Sequence, residues 1–221
     1  MAGRKSSLTP LVPVLICEFS TDTKLPKGSF NLGFVPTIFP DSTNTLLLVP
    51  GGYGSIGPHT KSPAIYKCPA DKSWIEIGGQ RHPRVRSVSM NAFLGRASHI
   101  ASEPTSKGAN YLFPNYRQFL KLSEIPQPSS VFVTLDEHPD SINDGYFVNG
   151  PDQANWQDIP GSYHNGAGSF SFADEHFEFH KWSSATSRYP VRYFYATKIF
   201  DDAGRRDFQW YRDRVRYIPL R

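Results

Sequence analysis

The sequence predicts an α+β fold: one domain with a mainly antiparallel sheet and low helix content. Three observations carry that expectation. Phe and Tyr are abundant, 16 and 11 of 221 residues, beside 19 Pro and 17 Gly, a composition that favours strands and ordered loops over a helix bundle. The run "SSVFVTLDEH" at 129–138 concentrates β-branched and aromatic residues, as a strand buried on both faces does. And "GSFSFADEHFEFHKW" at 168–182 alternates about a turn at Asp174-Glu175, which is the pattern of a hairpin.

Taken in order, residues 1–40 read as an extended segment rich in Pro and Gly. Within it, residues 8–19 form an extended stretch or edge strand, because Pro10 and Pro13 break an apolar helix. The apolar part is about half the length of a membrane span, and no small-residue cleavage site follows Cys17, so no targeting signal is read there. "PDSTNTLLLVPGGYGSIGPH" is a short apolar segment between turns, and "AIYKC" enters a strand that stops at Pro69. "RVRSVSMNAF" alternates as a strand. A polar loop covers 96–110, and "YRQFLKLSEI" suits a short helix or a strand, ended by Pro126.

Strands at about 130–135, 169–173 and 176–180 are expected to be central. In the hairpin, Phe170 and Phe172 share a face. On its return strand, Phe177 and Phe179 share one face, and His176, Glu178 and His180 share the other. The four phenylalanines supply burial, and the His176 face is read as solvent-facing. "VRYFYATKIF" is a further strand, and residues 183–221 form a basic, aromatic C-terminal strand extension.

The formal net charge is +4, with much of the excess in "RRDFQWYRDRVRYIPLR". Arg beside aromatics suits a phosphate surface, but Asp207 and Asp213 interrupt the patch and no RNA-binding motif accompanies it, so no nucleic-acid partner is expected. Cys17 and Cys68 lie in no CxxC motif; one disulfide and two buried thiols both remain open. The sequence has no HExxH, P-loop, dinucleotide fingerprint or nucleophile elbow.

Four stretches carry a family resemblance: "IYKCPADKS", "RSVSMNAFLG", "LDEHPDSINDGYF" and "YHNGAGSFSFADEHFEFHKW". Together they resemble the soluble part of prepilin-like proteins with an H-X9-DG processing-associated domain. Nine residues separate His164 from Asp174, as that motif requires, with Glu175 in place of its Gly. The resemblance spans residues 41–182. It implies a pseudopilin-like head, located in the cell envelope, periplasmic or extracellular. The implied role is a non-enzymatic subunit of a pilus-like or type II secretion-like assembly, with other pilin-like or secretion-system subunits as partners. The chain as written has neither the basic leader nor the long apolar helix of such proteins, so assembly through that helix is not expected.

Three polar or aromatic groupings bear on chemistry. In the loop after 135, Asp136, Asp140, Asn143 and Asp144 offer oxygens suited to calcium. They suit equally an Asx-turn loop whose side chains bind nearby backbone N–H groups. Type II pseudopilins resembling this class bind calcium, which makes it the cofactor that the resemblance allows. His164 and Asp174 are read as the clasp of the hairpin; with His176 they form the alternative, a zinc-dependent hydrolase site. Trp156 and Trp182 are either core residues or, in a third reading, the platform of a glycan-binding module.

Overall fold

The β-branched and aromatic run after Ser130 becomes β4 (Phe132–Asp136), the middle strand of a five-stranded sheet. These positions come from a computed structural model, which describes residues 40–49, 60–95, 108–110, 112–143 and 145–220. The sheet also contains β3 (Val88–Asn91), β5 (Tyr146–Phe147), β6 (Ala167–Phe172) and β7 (Phe177–Lys181), in the order β5-β3-β4-β6-β7. All pairings are antiparallel except β3 with β5. A separate hairpin pairs β1 (Trp74–Ile77) with β2 (Gln80–Pro83). Among the described residues one long helix, α1 (Asp202–Val215), completes an α+β fold of low helix content.

The in-register pairs Leu135–Phe170 and Phe132–Phe172 point one face of the sheet at the core. Against it pack Phe147, Trp156 and Trp182, with Phe208, Tyr211 and Val215 of α1. Helix α1 replaces the basic strand expected at the C-terminus. Asp201 caps it by accepting the Gly204 N–H at 2.6 Å. Its buried side chains at 208, 211 and 215 recur at intervals of three and four, which is a helical stripe. "VRYFYATKIF" forms no strand among the described residues. Phe194 and Ile199 are exposed, and the segment is held by single bonds such as Lys198 N–H to Tyr189 Oη at 2.8 Å.

Other expectations change locally. "AIYKC" starts with a 3₁₀ turn, Pro63–Tyr66, because Pro63 fixes φ at the first helical position. "YRQFLKLSEI" divides between a bridge at Phe119 and a 3₁₀ turn at Leu122–Glu124. Residues 8–19, including Cys17, lie outside the described residues, so the disulfide question does too.

The largest correction concerns β7, which is an edge strand rather than a central one. Its register sets Glu178 opposite the core residue Phe170, so Glu178 and His180 face α1. Glu178 pairs with Arg214 at 3.5 Å, and the His180 ring stacks on Trp210 at 3.6 Å. Phe177 and Phe179 therefore emerge on the other face, each 56 % exposed, opposite Ser171 and Ser169. Phe170 and Phe172 are buried as the sequence predicts.

His180 makes stability depend on pH. Its Nε2 is buried without a hydrogen-bond partner. Burial lowers its pKa to about 4, against the opposing pull of Asp207 and with help from Arg214. The unfolded chain binds this proton near pH 6.5 and the fold resists it to about 4. Stability is thus fully present above pH 6.5 and lost as pH falls through that window, by about 1–2 kcal/mol once the ring's partial exposure is allowed for. Urea midpoints from pH 4 to 8 should show this slope, and His180→Gln should flatten it.

Candidate functional site

On the sheet face away from α1, three distant segments bring Cys68, Asp136 and His164 together. Cys68 opens the turn "CPAD", where the Asp71 N–H donates to the Cys68 carbonyl at 3.0 Å. The turn docks on β3 because the Cys68 N–H donates to Ser87 Oγ at 2.7 Å. Asp136 ends β4, and its carbonyl accepts the Gly161 N–H at 2.7 Å. His164 stands before a tight turn in which Asn165 and Gly166 both adopt positive φ, 53° and 82°. The N–H groups of His164 and Ala167 each donate to the other's carbonyl at 3.1 Å, so the imidazole is carried to the entry of β6.

Both partners meet one ring atom. His164 Nε2 lies 3.4 Å from Cys68 Sγ and 3.3 Å from Asp136 Oδ2. Asp136 Oδ2 also accepts the Ser169 hydroxyl at 2.5 Å. The imidazole packs beside Phe179, with ring centres 4.7 Å apart. Burial raises the Asp136 pKa, while the Ser169 hydroxyl and His164 pull it down. Burial likewise pushes the Cys68 thiol up, opposed by the backbone N–H groups of Ala70 and Asp71. A buried thiol of raised pKa is a poor nucleophile. In a Cys–His–Asp relay the acid holds the ring nitrogen that the nucleophile does not use; here both occupy the same one.

The expected clasp between His164 and Asp174 does not form. The two residues lie at opposite ends of β6, a six-residue strand, which spans roughly 20 Å. Asp174 instead accepts from His176 Nδ1 at 2.5 Å at the hairpin tip, and this bond lowers its pKa. The zinc set His164, Asp174 and His176 is therefore not assembled.

Among the described residues, the acid-rich loop does not converge on a calcium centre either. Asp140 accepts the backbone N–H groups of Arg192 and Tyr193 at 2.7 and 2.8 Å. Glu137 accepts the hydroxyls of Ser89 and Ser141 at 2.5 and 2.9 Å. Asp136 turns to His164, Asn143 is exposed, and Asp144 lies outside the described residues. These side chains tie the loop to segments distant in sequence, up to 53 residues away, rather than to the nearby backbone that an Asx-turn loop uses. Trp156 and Trp182 are buried core residues, 0 % and 1 % exposed, so they form no glycan platform. Each indole N–H has an internal acceptor, Ser187 Oγ and the Gly161 carbonyl.

Sequence reasoning missed Cys68 as a partner of His164. The two are 96 residues apart, and no local period links them. The available signal was chemical: Cys68 is followed by Pro69, the form of a tight turn that presents a thiol.

The cluster depends on Gly161. A Cβ there would lie 2.8 Å from Asp136 Cβ and 2.9 Å from the Asp136 carbonyl oxygen. Gly161→Ala should lower stability by about 1–3 kcal/mol, since backbone must move to relieve the overlap. Thermal unfolding measures this, and a neutral result would mean that the two segments are loosely packed.

The chain matches no protein-family model, no curated protein and no solved structure at a significant level. Among the described residues, no helix is long and apolar enough to cross a membrane.

Proposed function

We propose that this chain is the globular head of a pilin-like or type II secretion-like envelope assembly, a non-enzymatic subunit that packs against other such subunits. One observation carries the reading: Phe177 and Phe179 stand side by side, ring centres 4.8 Å apart, exposed on an edge strand. Edge strands of solitary domains are blunted by charge, proline or a covering segment. An exposed aromatic pair on such an edge suits a surface that another chain covers. The occupant we assign is a second pilin-like subunit, in line with the resemblance of the four motifs in residues 41–182. The buried polar side chains support a structural role: Asp136, Glu137, Asp140 and Asp207 each accept bonds that join segments distant in sequence.

The test is in situ cross-linking with a photoreactive residue in place of Phe177, in the native envelope. The expected product joins this chain to one bearing a prepilin-type N-terminal apolar helix. Two results would contradict the reading: adducts confined to the chain itself, or a hydrolytic activity of the purified chain that His164→Ala abolishes.

A further inference from the structure

We propose that Cys68, Asp136 and His164 form a zinc site, three protein ligands with a fourth position open to water. This inference is independent of the assembly reading.

The first argument is the convergence on one atom. His164 Nε2 faces the Cys68 sulfur at 3.4 Å and a carboxylate oxygen of Asp136 at 3.3 Å. If Nε2 carries a proton, one N–H serves two acceptors. If it does not, its lone pair faces a carboxylate, which is repulsive. A cation between the three atoms converts that conflict into coordination.

The second argument is metric. Zinc binds S at about 2.3 Å, N at about 2.05 Å and O at about 2.0 Å, so tetrahedral angles set S and N about 3.5 Å apart and N and O about 3.3 Å apart. The observed separations are 3.4 and 3.3 Å, and all three ligand atoms lie within 4.8 Å of one another. A thiolate and an imidazole with one carboxylate select zinc over calcium, which takes six to eight oxygens.

The third argument is the surroundings. The Ser169 hydroxyl donates to Asp136 Oδ2 at 2.5 Å, and the Cys68 N–H donates to Ser87 Oγ at 2.7 Å, so outer partners hold one ligand atom and the backbone of a second ligand. Asp71 Oδ2 is buried and takes no hydrogen bond; Lys67 Nζ lies 3.9 Å away, and the Asp71 charge acts on Cys68 as well. An added cation lowers the energy of that buried negative group as well. The His164 side chain is 31 % exposed while the other two ligands are buried, so the ion enters and water reaches it on the histidine side.

The zinc thereby does what the sequence assigned to a His164–Asp174 bond. It fastens the "CPAD" turn, the end of β4 and the entry of β6 at one point. The full chain, stripped with chelator and titrated with ZnCl₂, should bind one equivalent. Saturation should raise Tm by about 4 °C or more. CoCl₂ should give a near-ultraviolet thiolate-to-metal absorption band and visible bands of tetrahedral intensity. Cys68→Ser, which keeps the buried volume, should abolish the charge-transfer band. Cys68→Ser and His164→Gln should each weaken zinc binding more than about 100-fold, beyond the loss typical of an outer partner. Near-ultraviolet circular dichroism establishes that each variant is folded. The proposal is overturned if the folded wild-type chain takes up no stoichiometric zinc, or if affinity survives both substitutions.

Discussion

Trp156→Ala should remove a large share of the stability of this domain, about 3–5 kcal/mol, against a total of about 5–15 kcal/mol typical of such folds. Trp156 is wholly buried, and five other aromatic rings surround it: Phe208, Phe200, Tyr211, Trp182 and Phe147, with centres 5.2, 5.5, 5.5, 5.8 and 6.4 Å away. Its N–H donates to Ser187 Oγ at 3.2 Å, which fixes the ring's orientation and satisfies the one polar atom. The substitution leaves a cavity where sheet, α1 and the 182–200 connection meet. Urea unfolding should show a large fall in midpoint. Trp156→Phe should recover part of it, since the ring contacts return and the hydrogen bond does not. A loss below about 1 kcal/mol for the alanine variant would mean that this junction is not the centre of the core.

Asp207→Ala should have the next largest effect, about 2–4 kcal/mol, because a charged acceptor is lost and buried donors are left without a partner. Asp207 projects from α1 and accepts the Ser183 N–H at 3.0 and 3.1 Å and the Ser184 N–H at 2.9 Å. Those bonds hold the chain leaving β7 onto the helix. Asp207→Asn keeps one acceptor oxygen and should lose about half as much. Equilibrium unfolding gives the totals. Amide exchange at 183–187 localises the effect, and unchanged protection there in the alanine variant would contradict it.

Elements whose signal is local were legible in the sequence. β4 is a run of β-branched and aromatic residues, and β6 and β7 alternate about a polar turn. Their bounds lie within two residues of those expected. The burial of β7 was not legible, because alternation identifies two faces without saying which meets the core. That choice rests on α1, which covers the Glu178 and His180 side. Helix α1 itself escaped because its charged and aromatic residues drew attention to composition. The buried series Phe208, Tyr211 and Val215, with Asp201 as cap, was present as a pattern. The β1–β2 hairpin was missed, although Gly78-Gly79 marks its two-residue turn, where both glycines adopt positive φ.

The candidate site was only half legible. His164 and Asp136 were both singled out, each with a wrong partner. Pairing across a sheet is decided by topology: β4 beside β6 brings Asp136 to Ser169 and His164, and the Ser87–Cys68 bond on β3 delivers the thiol. A nine-residue spacing between His164 and Asp174 suggests contact only if the intervening chain curls back. Here it runs as a strand, which separates them.

In the proposed function the buried polar residues hold the fold while the exposed edge of β7 meets another subunit. The most direct test is the cross-linking yield of the double variant Phe177→Ser/Phe179→Ser, with the photoreactive group moved to Lys181. Exposed side chains contribute little to folding, so the variant should keep its urea midpoint to within about 0.5 kcal/mol of stability. Its cross-links to the proposed partner subunit should nonetheless disappear. Undiminished cross-linking by a folded variant would contradict the account.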